Sequence, residues 1–172
     1  RIERVEYTTP DREGNDIAKY ANVYVPYGYD PEKRYNVLYM MHGGGGNADA
    51  FIDSCPMKNM LDYSIANGRC EPLLVVFPSY YKKLNRELRK PGSFEERDET
   101  LFFQKELIND LIPAVEGKYS TYAEEASPED IKASRMHRAF GGFSMGGCTT
   151  WYALLENIDN IGWFMPLSGD CW

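Results

Sequence analysis

Gly141-Gly142-Phe143-Ser144-Met145-Gly146-Gly147 closes a run that begins Arg138-Ala139-Phe140 and opens another that continues Cys148-Thr149-Thr150-Trp151. Residues 138–143 are β-prone and end in glycine, whereas residues 145–156 carry a helical pattern, so Ser144 falls on a strand-to-helix turn. The local pattern is G-x-S-x-G. A serine on so sharp a turn occupies strained backbone that projects its Oγ away from the chain. Glycines flank it because a Cβ on either side would strike the adjoining strand and helix. The helix N-terminus behind the serine favours negative charge developing there. A glycine-rich turn without chemistry is the bland alternative, and the strand-turn-helix context argues against it.

About a hundred residues earlier, the expected strand 36–41 runs into His42-Gly43-Gly44-Gly45-Gly46-Asn47. A glycine-rich loop after the third strand can turn a backbone N–H toward a substrate carbonyl, and the residue after a nucleophile supplies a second. Gly44 and Met145 are the candidate donors, with Ser144 the candidate nucleophile. A phosphate-cradling loop competes for the glycines, but no Gly-Lys-Ser/Thr follows them. His42 opens the loop and reads as an anchor for its backbone. His137 precedes the strand that leads to Ser144, so it is expected at the other end of the sheet, a strand length of roughly 17 Å away. No histidine follows Ser144, and no residue reads as the base that would take the serine proton.

Working outward, apolar or alternating runs bounded by turn residues predict strands at 2–8, 19–25, 36–41, 73–77, 138–143 and 162–167. The polar turn 10–15 joins the first two as an antiparallel hairpin. Later strands alternate with helical patterns and read as parallel crossovers. Helices are expected at 57–66, stopped by Asn67-Gly68, at 99–118, and from 145 to about 156. The second shows an apolar stripe of Leu101, Gln104, Leu107, Ile108, Leu111, Ile112 and Val115, with Asp98 as its expected cap and Pro113 as a kink or last turn. Segments 79–97 and 121–134 read as solvated surface loops. The expectation is one domain over residues 1–172: an α/β fold with a mostly parallel twisted sheet, antiparallel N-terminal strands and flanking helices.

The 172 residues are 43% hydrophobic and 26% charged, a composition that fits one globular domain. Nineteen basic against 26 acidic residues give a net charge of −7, which argues against a nucleic-acid partner. The longest apolar runs are far shorter than the roughly 20 residues a bilayer crossing needs, so no membrane partner is expected. Cys55, Cys70, Cys148 and Cys171 have spacings that match neither a zinc site nor a dense disulfide scaffold, and no metal or cofactor is expected. Cys148, among small and apolar neighbours, reads as a buried thiol. Cys55 and Cys70 are a pair that an oxidising compartment would allow to join. Arg1 opens no export-signal pattern, so a signal is expected to be absent or removed.

These motifs, together with Ser134-Arg135-Met136-His137-Arg138, Phe164-Met165-Pro166-Leu167-Ser168-Gly169-Asp170 and Tyr24-Val25-Pro26-Tyr27-Gly28-Tyr29-Asp30, resemble the feruloyl esterases of carbohydrate esterase family 1. The similarity is greatest to the esterase domains attached to clostridial xylanases. The resemblance implies an esterase D-like α/β-hydrolase fold and a serine esterase that cleaves feruloyl or other hydroxycinnamoyl esters on arabinoxylan through an acyl-enzyme. It implies no cofactor, a secreted location, feruloylated arabinoxylan as partner, and neighbouring modules of a multidomain xylanase. Carried over by position, Ser144 matches the nucleophile, Gly44 and Met145 the oxyanion donors, and Gly45, Asp170 and Trp172 the substrate-binding residues. Tyr80 and Tyr81 are further candidates to stack on the phenolic ring. The match covers the N-terminal two thirds of such a domain, truncated after the sixth strand, so the triad acid and base are expected beyond residue 172. Asp170 comes one strand too early to be that acid. Alternatives are an acetyl esterase, an S-formylglutathione hydrolase, an acyltransferase, or a noncatalytic carbohydrate-binding relic.

Overall fold

Alternation builds the antiparallel half of the sheet. In β1 (Ile2–Pro10), Val5, Tyr7 and Thr9 are buried while Arg4, Glu6 and Thr8 face solvent, the period of two expected of a strand covered on one face. β3 (Asn36–Met41), β4 (Leu73–Phe77) and β5 (Arg138–Phe143) are instead buried along most of their length, as strands covered on both faces must be. With β2 (Asp16–Tyr24) and β6 (Trp163–Leu167) they form a six-stranded sheet in the order β1-β2-β4-β3-β5-β6. β1, β2 and β4 pair antiparallel, whereas β4, β3, β5 and β6 run parallel. The expected sheet is therefore present. This computed structural model describes residues 1–80 and 94–171, without the side chains of 94–97. Most of segment 79–97, with Tyr81 and Trp172, lies outside the described residues.

The hairpin strands reach further than expected, with β1 pairing as far as Pro10↔Asp16. Pro10 is tolerated because β1 is an edge strand and the proline sits at its end. Between β3 and β4 lie a short α1 (Ala50–Asp53), not foreseen in the sequence, and α2 (Met57–Ala66). The helix expected at 99–118 starts earlier and is broken. α3 spans Phe94–Glu106, a π-helical turn covers Leu107–Leu111, and α4 follows at Ile112–Glu116. Asp98 thus lies inside α3 and does not cap it. The π turn comes just before Pro113, which has no N–H to give the preceding turn and whose ring crowds it; widening the helix there accommodates both defects.

Segment 121–134 is also not the plain loop expected. α5 (Pro128–Ala133) forms within it, capped by the Ser127 hydroxyl, which accepts from the Asp130 N–H at 3.2 Å. Serine at the cap, proline at the first helical position and acids in the first turn make a complete start signal. α6 (Met145–Asn157) follows Ser144 directly. All four cysteines are free, so Cys55 and Cys70 are not joined. The ten residues of α2 between them span about 15 Å, and the Cys55 thiol donates instead to the Phe51 carbonyl. Cys148 is buried, and burial raises its thiol pKa. Among the described residues no helix is long and apolar enough to cross a membrane, and no three His, Cys, Asp or Glu side chains cluster as a metal site would require.

Two polar ties cross the layers. Lys19 on β2 meets both carboxylate oxygens of Glu106 at 2.7 and 2.8 Å, while the Tyr7 hydroxyl donates to the same carboxylate at 2.6 Å. Burial raises the Glu106 pKa and lowers that of Lys19, opposing their attraction. Nearer the surface, Asp62 of α2 accepts from Lys58 at 2.6 Å and from the buried Tyr24 hydroxyl at 2.7 Å. The Lys58 bond, followed by the Tyr24 bond, holds the Asp62 carboxyl below its ordinary pKa. A depressed carboxylate stabilises the fold above its unfolded pKa, and that contribution is lost as pH falls through the folded value. Asp62→Asn is expected to flatten the acid limb of the urea midpoint below about pH 4. Its cost at neutral pH stays under about 1 kcal/mol because the pair is part-exposed. An acid limb identical to that of the parent protein would refute this.

Candidate active site

Ser144 stands between β5 and α6 with φ +57° and ψ −117°, backbone that an L-residue holds only at a cost of about 1–3 kcal/mol. Its residue is exposed. The turn is held at both ends. The Ser144 N–H donates to the Leu167 carbonyl at 2.9 Å, and the Ser144 carbonyl accepts from Gly147 and Cys148 at 2.8 and 3.1 Å. A Cβ on Gly142 would lie 2.5 Å from the Gly146 backbone, and one on Gly146 would run into the Met41 carbonyl. The flanking glycines are therefore steric requirements, as the motif implied.

The glycine loop leaves the end of β3 beside this turn. A Cβ on Gly43 would sit 3.3 Å from both the Phe143 carbonyl oxygen and the Ser144 Cβ. Gly46 donates to the Gly43 carbonyl at 3.1 Å, and Gly45 has φ +80°, the third position of a type II turn, which glycine fills without strain. The turn's own hydrogen bond uses Gly43 and Gly46 and does not involve the amide of Gly44, an exposed residue. His42, 2% exposed, places Nδ1 2.7 Å from the same Gly43 carbonyl and Nε2 2.9 Å from the Ser79 hydroxyl. It anchors the loop, as its position suggested.

Register explains the convergence. β4, β3, β5 and β6 are parallel neighbours, so Ser79, His42, Ser144 and Ser168 all follow strand ends on one edge of the sheet. Open parallel sheets bind ligands at this edge. Met145 is buried at the first position of α6, directly after Ser144. Gly45 is half-buried at the loop. Beyond β6, Ser168 has φ +49°, and Gly169 packs against Gly147 and the Ser144 carbonyl. Asp170 is exposed after it, and its carboxylate accepts from the Cys171 N–H at 2.8 Å.

Two positions differ from the sequence reading. Ser79 and Tyr80, the start of a supposed surface loop, are 5% and 6% exposed. The Tyr80 ring packs edge-on against His42 at 5.1 Å and against Phe103 at 5.6 Å, so it supports the loop from beneath and does not offer a face to a ligand. His137 is stacked on Tyr122 and bonded to Asn36 Oδ1 at 2.9 Å, at the start of β5, the far end of the sheet from Ser144, as expected. Neither histidine is placed as a base for Ser144.

The sequence profile of the family described as "Putative esterase" matches residues 18–171. Endo-1,4-beta-xylanase Y of Acetivibrio thermocellus is 47% identical over 173 residues, covering 100% of this chain and 14% of that protein. An endo-1,4-beta-xylanase/feruloyl esterase of Xylanibacter ruminicola is 32% identical over 154 residues, covering 87% of this chain and 19% of that protein. A mutant of the feruloyl esterase module from Clostridium thermocellum, complexed with sinapinate, matches with TM-score 0.80 and 45% identity over 99% of this chain and 55% of that one. The chain spans about half the length of this solved relative and under a fifth of either curated one. Because that profile runs from β2 through the strained serine turn to the loop after β6, the chain belongs to this esterase family.

Proposed function

We propose that the chain carries the nucleophile and the oxyanion-binding half of a carbohydrate esterase family 1 feruloyl esterase. One observation carries the reading: an exposed serine is held in strained backbone with the glycine loop against it. The Ser144 Oγ attacks the carbonyl carbon of a hydroxycinnamoyl ester while a base takes its proton. Both histidines are committed elsewhere, so neither is that base. The Gly44 and Met145 N–H groups stabilise the oxyanion. Collapse of the tetrahedral species breaks the bond to the sugar oxygen, which leaves with the proton from the base. Water then adds to the acyl-enzyme, releasing the acid and restoring Ser144. Gly45, at the glycine loop, and Asp170, after β6, are the described residues assigned to the acyl site.

Relatives named as xylanases and feruloyl esterases, one of them holding sinapinate, support feruloylated arabinoxylan as substrate. They also support attachment to xylanase modules; a polymeric cell-wall substrate would call for action outside the cell. The intact enzyme should cleave methyl ferulate with kcat/KM at least about tenfold above that for 4-nitrophenyl acetate or acetylated xylan, discrimination within reach of one apolar pocket. Activity confined to acetyl esters would overturn the feruloyl assignment.

A further inference from the structure

We infer that Ser79 is a positioning residue for the oxyanion-binding Gly43–Gly44 peptide, acting through the ring of His42; this rests on the function proposed above. The Gly43 carbonyl and the Gly44 N–H belong to one trans peptide plane and point in opposite directions. Whatever holds the carbonyl therefore aims the amide. Two donors hold it, the Gly46 N–H at 3.1 Å and His42 Nδ1 at 2.7 Å. A loop of four successive glycines has no side chains to restrain it and much conformational freedom to lose, so these two bonds carry the restraint.

The His42 contribution depends on its tautomer. A carbonyl oxygen only accepts, so Nδ1 must bear the proton, and Nε2 of the neutral ring must then accept. The Ser79 hydroxyl, 2.9 Å from Nε2, is the donor that selects this form. With the proton on Nε2, the Nδ1 lone pair would face the Gly43 carbonyl and repel it. Ser79 is itself fixed through its neighbour. The Tyr80 carbonyl accepts from Lys19 at 3.0 Å, and the Tyr80 hydroxyl lies 2.6 Å from Thr149 Oγ1. Thr149 spends its only proton on the Met145 carbonyl at 2.9 Å, so Tyr80 is the donor in that pair.

The second amide is independent of this relay. Met145 N–H shares a peptide plane with the Ser144 carbonyl, which Gly147 and Cys148 of α6 hold. Removing the Ser79 hydroxyl thus loosens one of two donors and deletes neither. The loss should be smaller than the 100- to 1,000-fold that follows deletion of a donor, about tenfold in kcat.

In the intact enzyme, Ser79→Ala should lower kcat on methyl ferulate by about tenfold with KM within about twofold. Labelling of Ser144 by a fluorophosphonate should slow by a similar factor, and Ser79→Thr, which keeps the hydroxyl, should recover most of both rates. Nitrogen NMR of the parent enzyme should show the His42 proton on Nδ1, a readout that needs no variant to fold. A Ser79→Ala kcat within twofold of the parent, equal losses in the alanine and threonine variants, or a proton on Nε2 in the parent would each overturn the inference. A parent enzyme inactive on methyl ferulate yet labelled at Ser144 instead overturns the substrate assignment, and the labelling ratio still decides the role of Ser79.

Discussion

Ser144→Ala in the intact enzyme lowers kcat on methyl ferulate by about four to six orders of magnitude, while the fold stays within about 0.5 kcal/mol of the parent. The size follows from the reaction: without the hydroxyl no acyl-enzyme forms, and only the oxyanion donors and substrate binding remain to help water attack. The stability side follows from the backbone. Alanine keeps the Cβ and hence the strain at φ +57°, whereas Ser144→Gly relieves it. After the extra entropy glycine loses on folding, the glycine variant is expected to gain about 1 kcal/mol. That gain corresponds to a thermal midpoint about 1–2 °C higher in an intact domain nearly twice the length of this chain. A residue that is merely part of a turn predicts the same relief but no loss of rate. An alanine variant within tenfold of the parent kcat would therefore remove Ser144 from the chemistry, whatever its effect on stability.

Features written in consecutive residues were readable in advance. The serine turn and the glycine loop each declare themselves within seven residues, because close backbone approach excludes every side chain but hydrogen. β3, β4 and β5 took their expected bounds, since short apolar runs ended by turn residues leave little choice of register. α5 was equally local. Ser127-Pro128-Glu129-Asp130 is a full helix start that the acidic composition of its segment masked. Partnerships across the chain were not readable. Ser79 and His42 are 37 residues apart in sequence, and only the adjacency of β3 and β4 brings them together. The contacts of Tyr80 and Thr149 depend on the packing of α6 over the sheet in the same way.

Arg138 shows how far such a partnership can decide stability. It is 1% exposed at the first position of β5, and its charge meets Glu116 at the end of α4 with Nε and Nη2 contacts of 2.5 and 2.6 Å. The remaining donors reach the Ile131 carbonyl at 2.8 Å, the Asn160 carbonyl at 2.6 Å and the Ser134 hydroxyl at 3.1 Å. Tyr39 and Thr121 hydroxyls donate to the same Glu116 carboxylate at 3.1 and 3.3 Å. Bonding to Glu116 keeps the guanidinium pKa raised despite the opposing effect of burial, so the cation persists at every working pH. Glu116→Gln preserves the shape and leaves that cation without its counter-charge, which should cost about 3–5 kcal/mol. The urea midpoint falls accordingly. Because the pair lies at the opposite end of β5 from Ser144, molecules that remain folded should keep kcat within a few-fold of the parent. The double variant Glu116→Leu with Arg138→Met should recover part of the loss, since removing both charges leaves neither one buried alone. A single glutamine substitution costing under about 1 kcal/mol would mean that water reaches the guanidinium, and that Arg138 is not the sealed tie between β5, α4 and α5 that its five bonds describe.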